Sequence, residues 1–332
     1  MKRFFLKTLV AAVAVAAFGV AQAQTRTIKF ANQNAKGHPI VMGMEKFAEI
    51  VEAKSGGKLK VNVFPGGALG SDQANVSSLQ GGTLEMASMN SGIFASLVKD
   101  FAIYDFPFLF GNPKEADAVV DGPFGQSLHK KLEDKGVVGL AYYELGFRNL
   151  TNSKRPIAKV EDIAGLKLRV IPNPINVDWV KALDANPTPL PFPELYAALE
   201  QKAVDGQENP VATIRGAKLF EVQKFLTLTN HQYNPQSVVI SKRFWDTLSA
   251  DEKKILQDAA TESAKFQREQ SRSAAAGILE ELKKSGMQVT ELPAAEVAKL
   301  REKMKPVIAK HTASVGDATV KAMMAELEKA RR

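Results

Sequence analysis

The stretch "VVGLAYYELGFRNLTNSKRPI", residues 137–157, decides the fold. It is an extended pattern with two strands' worth of residues, joined at Gly146. A second stretch of this kind, "FLTLTNHQYNPQSVVIS", occupies residues 225–241. The first reads as a crossing from one α/β lobe into a second, and the second as the return. Two crossings imply two hinge strands.

The sequence on either side fits that reading. "TIKFAN" from Thr27 alternates as a strand, and Ile40, Met44, Phe47, Ala48 and Val51 then recur on one helical face, which "SGG" at 55–57 ends. "KLKVNVFP" from Lys58 alternates again. Strand, helix, strand opens a parallel α/β lobe. "PGGALGSDQ" from Pro65 lacks the Lys-Ser/Thr pair of a phosphate loop and reads as a tight turn, with Ser71 or Asp72 capping a helix through Leu79. "LEMASMNSG" is a third strand. Asn90 and Ser91 lie at its C-terminal end, the end that faces the ligand crevice in open α/β sheets.

Beyond the first crossing, "LKLRVIP" from Leu166 is a strand and Trp179, Val180 and Leu183 form a short helix face. "PELYAALEQKAVDG" from Pro193 is expected to be a helix, with proline near its start and glycine after its end. Ser249 and Glu252 form a capping box for a helix that runs to Lys284 and stops at Gly286, if Gly277 is tolerated inside it. Such a helix is roughly 50 Å long, enough to brace both lobes. Ser263, Gln267 and Ser271 interrupt any coiled-coil seam. "MQVTELP" is a strand and two charged amphipathic helices finish the chain.

The N-terminus reads as a secretory signal: Lys2, Arg3 and Lys7, an apolar run from Leu9 to Val20, then the small-x-small triplet Ala21-Gln22-Ala23. Removing 23 of 332 residues leaves 309, more than a usual single core. No later stretch is long and apolar enough to span a membrane. The absence of cysteine excludes thiolate metal sites and cysteine nucleophiles. Net charge is +8, or +5 without the three signal-peptide cations, and favours anionic ligands. Scattered lysines without interleaved aromatics argue against nucleic acid.

The segment from Arg148 to Pro210 carries the functional signal. Arg148 and Arg169 sit in neighbouring extended stretches, followed by Phe192 and by "VDGQENP" with Asn209 near its end. An arginine fork matches a carboxylate because its planar donors reach both oxygens at once. Each residue also has a structural reading: a salt bridge for Arg148, core packing for Phe192, a turn before Pro210 for Asn209. Asp205 and Glu208 read as turn and structural acids. No Gly-x-Ser-x-Gly elbow or carboxylate pair is present, and His38, His129 and His311 lack metal-ligand spacing. The sequence therefore describes an exported capture protein for a small organic acid, with no catalytic residues, cofactor or metal.

"GFRNLTNSKRPI" at 146, "DIAGLKLRV" at 162, "PFPELYAALEQKAVDGQENP" at 191 and "LTNHQYNPQSVVIS" at 228, in this order, resemble the DctP-type substrate-binding subunit of TRAP (tripartite ATP-independent periplasmic) transporters. The resemblance implies a two-lobed periplasmic binding protein fold, class II-like, with two hinge strands and the long helix behind both lobes. Residues 24–146 and 235–250 would form lobe I, 147–234 lobe II, and 251–332 the long helix and C-terminal segment across both. It implies Arg169 as the principal carboxylate ligand, Arg148 as its support, Asn209 on the same carboxylate and Phe192 as an aromatic wall. Gln33, Asp72, Asn90 and His231 match positions that vary with ligand, and Glu144 is placed to accept hydrogen bonds from ligand hydroxyls. The implied protein is a periplasmic monomer that delivers its ligand to small and large TRAP membrane subunits driven by an ion gradient. Polar Gln33, Asn90 and Glu144 place hydroxy or sugar-acid monocarboxylates ahead of C4-dicarboxylates. An exported module for a membrane sensor and an exported hydrolase are the competing functions.

Overall fold

The computed structural model describes residues 25–332; the signal-peptide reading of residues 1–23 lies outside the described residues. The first half of the sheet is β1 (Arg26–Ala31), β2 (Leu59–Phe64) and β3 (Met86–Asn90), with β1 between and parallel to both others. α1 (Pro39–Ser55) joins β1 to β2. His38 caps it, its Nδ1 accepting the Ile40 N–H at 3.1 Å, and Gly56 ends it in the left-handed region. α2 (Asp72–Gly81) is capped by Ser71, whose hydroxyl accepts the Ala74 N–H. Two 3-10 segments, Ser91–Ser96 and Lys99–Asp105, then lead through α3 (Pro113–Val120) and α4 (Pro123–Glu133) to β4 (Val137–Asn152).

β4 corrects one expectation. The run is a single 16-residue strand, not two joined at a glycine. It bends instead of breaking: Gly146 takes φ 111°, and its pairing register shifts at Gly139/Ala141, Glu144/Gly146 and Arg148/Leu150. The second half of the sheet follows as β5 (Lys167–Val170), α5 (Pro174–Lys181), β6 (Asn186–Pro189), α6 (Leu195–Glu200), β7 (Gly206–Asn209) and α7 (Val211–Gly216). Here the expected helix from Pro193 through Gly206 is shorter. A 3-10 turn at Phe192–Glu194 leads into α6, which stops at Glu200, and Lys202 takes φ 58°. Gly206 is needed in the sheet, not as a helix stop: a Cβ there would lie 2.2 Å from the Thr151 carbonyl oxygen across the β4 ladder.

β8 (Phe225–Ser241) returns antiparallel to β4, pairing with it from Val137↔Ser241 to Asn152↔Phe225. β3 joins the C-terminal half of β8, and β7 joins the C-terminal half of β4. Because β4 and β8 run oppositely, these attachments fall at opposite ends of the ribbon. The sheet order β2-β1-β3-β8-β4-β7-β5-β6 is therefore two half-sheets sharing two long strands. After α8 (Lys242–Trp245) come α9 (Ala250–Lys284), β9 (Gln288–Glu291) alongside β8, α10 (Ala294–Val315) and α11 (Asp317–Arg331).

α9 spans both halves. Its Leu256, Ala259 and Ala264 pack with Phe30, Phe47 and Val238 in the first half, while its Ile278 and Leu282 pack with Leu195, Ile214 and Leu219 in the second. At its middle the contact is polar. Gln267 is fully buried, accepts the Glu144 backbone N–H at 2.7 Å and donates to the Glu144 carbonyl at 2.8 Å. Glu144 lies opposite Pro235 and beyond the β7 ladder, which covers only Asn149–Asn152 of β4. The Gln267 amide thus serves a backbone unit that the ladder with β7 does not reach. Gly43 of α1 leaves room for it, since a Cβ there would stand 2.6 Å from Gln267 Cγ.

Gln267→Leu should lower unfolding free energy by about 2–4 kcal/mol, the cost of orphaning two buried backbone groups. The exposed Glu269→Ala on the same helix should change it by less than about 0.5 kcal/mol. Urea denaturation of the two variants checks the contrast.

Candidate functional site

The two half-sheets face each other across a cleft that narrows to a cavity of about 50 Å³. Gln33, Asp72 and Asn90 line it from the first half, Arg169, Phe192 and Asn209 from the second, and Arg148 from β4. These are seven of the nine residues singled out in the sequence.

The two arginines are both buried and differ in what they hold. Arg148 is spoken for. Its Nε and Nη2 reach the two carboxylate oxygens of Glu208, the second at 2.8 Å, and its Nη1 donates to Asn234 Oδ1 at 2.8 Å. Burial works to raise the Glu208 pKa, but the Arg148 charge and the nearby His231 prevail and hold it at about 2. The pair is closed on itself.

Arg169 is the third of four residues in β5 and is 2% exposed. Its Nε donates to the Leu190 carbonyl at 2.8 Å, and its guanidinium carbon lies 5.9 Å from the centre of the Phe192 ring. Among the described residues, its Nη1 and Nη2 have no hydrogen-bond or ion-pair partner. Burial draws its pKa down to about 10, with the neighbouring Arg148 adding to the effect and Glu208 and Asp72 opposing it. A desolvated cation without a counter-charge is costly, so this arrangement favours any anion that reaches it.

The groups opposite are polar and partly unpartnered. Asp72 is the first residue of α2. Burial pushes its carboxyl up to about 7, against the Gln33 side chain, the Asn90 backbone and the Arg169 charge. Gln33 Oε1 and Asn90 Nδ2 are buried without a hydrogen-bond partner among the described residues. Asn90 Oδ1 accepts the Gly92 N–H at 2.9 Å, which fixes its amide. Asn209 donates from Nδ2 to Gln207 Oε1 at 2.6 Å and keeps its second amide hydrogen.

Two candidates lie elsewhere. Glu144 does not line the cavity. Its carboxylate accepts from Arg272 of α9 at 2.6 and 2.9 Å and from the Tyr233 hydroxyl at 3.2 Å. Strand alternation explains this, since the adjacent Leu145 faces the cleft and Glu144 must point the other way. His231 is also outside the lining. Its Nδ1 pairs with Thr229 Oγ1 at 2.8 Å, its ring lies 4.8 Å from that of Trp179, and its Nε2 is 3.5 Å from Glu208. It supports the ion pair from behind.

Sequence reasoning missed the residues that join the two halves. His38 lies 3.2 Å through Nε2 from Thr213 Oγ1 of α7. Because Nδ1 accepts the Ile40 N–H, the ring is neutral with its proton on Nε2, in keeping with burial and then Arg215 lowering its pKa to about 3. Asp105 is fully buried and accepts from Asn173 Nδ2 at 2.7 Å and Gln232 Nε2 at 3.0 Å; burial raises its pKa to about 7. Neither role leaves a mark in local periodicity. Among the described residues, no group of three or more His, Cys, Asp or Glu side chains is placed to hold a metal, and no helix is long and apolar enough to cross a membrane.

Comparison with known proteins gives one family. The family model for DctP, bacterial extracellular solute-binding protein, family 7, matches residues 30–314. The 2,3-diketo-L-gulonate-binding periplasmic protein of Escherichia coli is 36% identical over 275 residues, 83% of this chain and 84% of that protein. The sugar acid binding protein of Advenella mimigardefordensis in complex with galactonate has 44% identity and a TM-score of 0.91, covering 92% of this chain and 99% of that one. A TRAP periplasmic solute-binding protein from Ochrobactrum anthropi, whose C-terminus is bound in its ligand-binding pocket, has 57% identity and a TM-score of 0.83, covering 93% and 97%.

Arg148→Met should cost about 3–5 kcal/mol, because it strands a buried carboxylate. The pH dependence has a definite sign. Glu208 is held near 2 in the folded chain against an ordinary 4.5, so its contribution is fully present above pH 4.5 and is lost as pH falls toward 2. The stability gap between wild type and Glu208→Gln, read by denaturant titration, should therefore narrow across that window.

Proposed function

The chain belongs to the DctP family, bacterial extracellular solute-binding protein family 7, and from that premise we propose that it captures a small hydroxylated monocarboxylic acid between its two lobes. The observation that carries this reading is Arg169: buried in the cleft, with both terminal nitrogens free of protein partners among the described residues. A ligand carboxylate leaving water loses strong hydration and needs charge-assisted hydrogen bonds in return. Arg169 supplies the bidentate fork, Asn209 a further donor and Phe192 an apolar wall. Arg148, committed to Glu208, holds the floor of the site and does not take the carboxylate.

Gln33, Asp72 and Asn90 meet the far end of the ligand from the other lobe. Only the closed arrangement satisfies both sets of contacts, so binding favours closure. The hinge lies at the β4 and β8 residues Gly146 and Asn234, with lobe I formed by 24–146 and 235–250 and lobe II by 147–234. The relatives named above support sugar acids as the class: one is described as binding 2,3-diketo-L-gulonate and one holds galactonate. A C4-dicarboxylate ranks second, because Arg148 and Arg169 are the lining cations and, among the described residues, only the latter has terminal nitrogens without a protein partner. The mature chain works as a periplasmic monomer and hands its ligand to small and large TRAP membrane subunits driven by an ion gradient.

A thermal-shift screen of the mature chain, stripped of ligand by unfolding and refolding, tests the reading. A sugar or hydroxy acid at a hundred times its Kd should add about 2.7 kcal/mol of stability, with a matching rise in Tm. Arg169→Ala should abolish the rise. A screen in which no carboxylate shifts the wild-type Tm would sink the proposal.

A further inference from the structure

We propose that Asp72 sets the ligand class: it accepts hydrogen bonds from the hydroxyls of a monocarboxylic acid and turns away a second carboxylate. This inference rests on carboxylate capture by Arg169.

The charges in the cleft carry the argument. The charged residues lining the cavity are Asp72, Arg148 and Arg169. Arg148 is neutralised by Glu208. What remains is one free cation on lobe II and one buried acid on lobe I, which among the described residues has no ion-pair partner. Without ligand these two charges offset each other, and a monoanion held by Arg169 adds its negative charge at the lobe II end of the cleft, away from Asp72. A dianion brings a second negative group toward Asp72 in a desolvated space with no second cation to receive it, and like charges in such a setting are strongly disfavoured.

Hydrogen-bonding chemistry points the same way. Asp72 and the unpartnered Gln33 Oε1 are acceptors, with Asn90 Nδ2 as the adjacent donor. A hydroxyl answers both kinds, since it donates and accepts. An ionised carboxylate only accepts, so it leaves Gln33 Oε1 without a donor and offers none to Asp72. Burial already raises the Asp72 pKa against the Gln33 side chain, the Asn90 backbone and the Arg169 charge, and a second negative group beside it would add to that cost. Asp72 also occupies the first turn of the ten-residue α2, where the helix end favours an anion. Without its charge, that helix end would welcome the carboxylate it now excludes.

Isothermal titration with a four-carbon pair compares a hydroxylated far end with a carboxylate one: erythronate, a trihydroxy monoacid, against malate, which also lacks the C3 hydroxyl. In wild type, erythronate should bind at least tenfold more tightly. Asp72→Asn, nearly isosteric and able to keep the neighbouring amide contacts, should reduce that preference at least tenfold, chiefly by strengthening malate. An unchanged ratio overturns the proposal. Should Asp72→Asn not fold, wild type decides alone: monomethyl succinate, a monoanion of similar shape, should bind at least tenfold more tightly than succinate, and equal affinities overturn the idea. Arg169→Ala separates the two levels of inference. If it weakens both acids at least a hundredfold while the Asp72→Asn ratio stays flat, capture stands and the filter falls. If it leaves both unchanged, capture itself fails and the filter with it.

Discussion

The pairing of β4 with β8 is the constraint on which the molecule depends. Two strands of 16 and 17 residues hold each other antiparallel from Val137↔Ser241 to Asn152↔Phe225, and each end of that ribbon carries its own parallel half-sheet. The pairing also carries the flaws that make it useful. Register shifts around Glu144 and Gly146, with Pro235 opposite, weaken the ladder where the two halves diverge. The loss is made up from outside the sheet, by the Gln267 amide on the Glu144 backbone and by the ion pairs of Arg272 with Asp117 and Glu144. A bend can then persist between lobes without exposing the backbone to an apolar interior.

Electrostatics inside the cleft follows from how each buried charge is answered. Arg148 and Arg169 are 1% and 2% exposed, so burial does not distinguish them. Partners do. The Glu208 carboxylate and Asn234 take up Arg148 on several sides, which fixes its guanidinium and turns it into scaffold. Among the described residues, Arg169 has one carbonyl and the face of one aromatic ring. In the proposed capture, the desolvation cost carried by Arg169 would be the reserve from which affinity for an anion comes, since a ligand would relieve what the protein leaves uncompensated. Across the cleft the lobes meet through side-chain hydrogen bonds, His38 with Thr213 and Asp105 with Asn173, that leave the Arg169 terminal nitrogens untouched.

The backbone plan was legible in the sequence because it rests on local rules. Alternation in "KLKVNVFP", the Ser249–Glu252 capping box and the glycine after Lys284 each act within a few residues, and each element formed where those rules put it. The helix from Pro193 ended early, at Glu200, and Gly206 answers instead to Thr151, 55 residues away in the chain. That the two long runs would pair with each other was legible only as a topological inference from their length.

The sequence by itself determined which residue types were available to bind an acid and, for two of them, where they would sit: Arg169 near the end of β5 and Asn90 at the end of β3; that Asn209 ends a strand and not a turn came from the fold. Only the tertiary structure decided which of them line one cavity. Leu145 took the inward face and left Glu144 to Arg272. Glu208 reached Arg148 and not Arg169. His231 fell behind the ion pair. The physical reason is common to all three. A charge in a folded protein is defined by its partners and by the water it has lost, and both are set by residues distant in sequence.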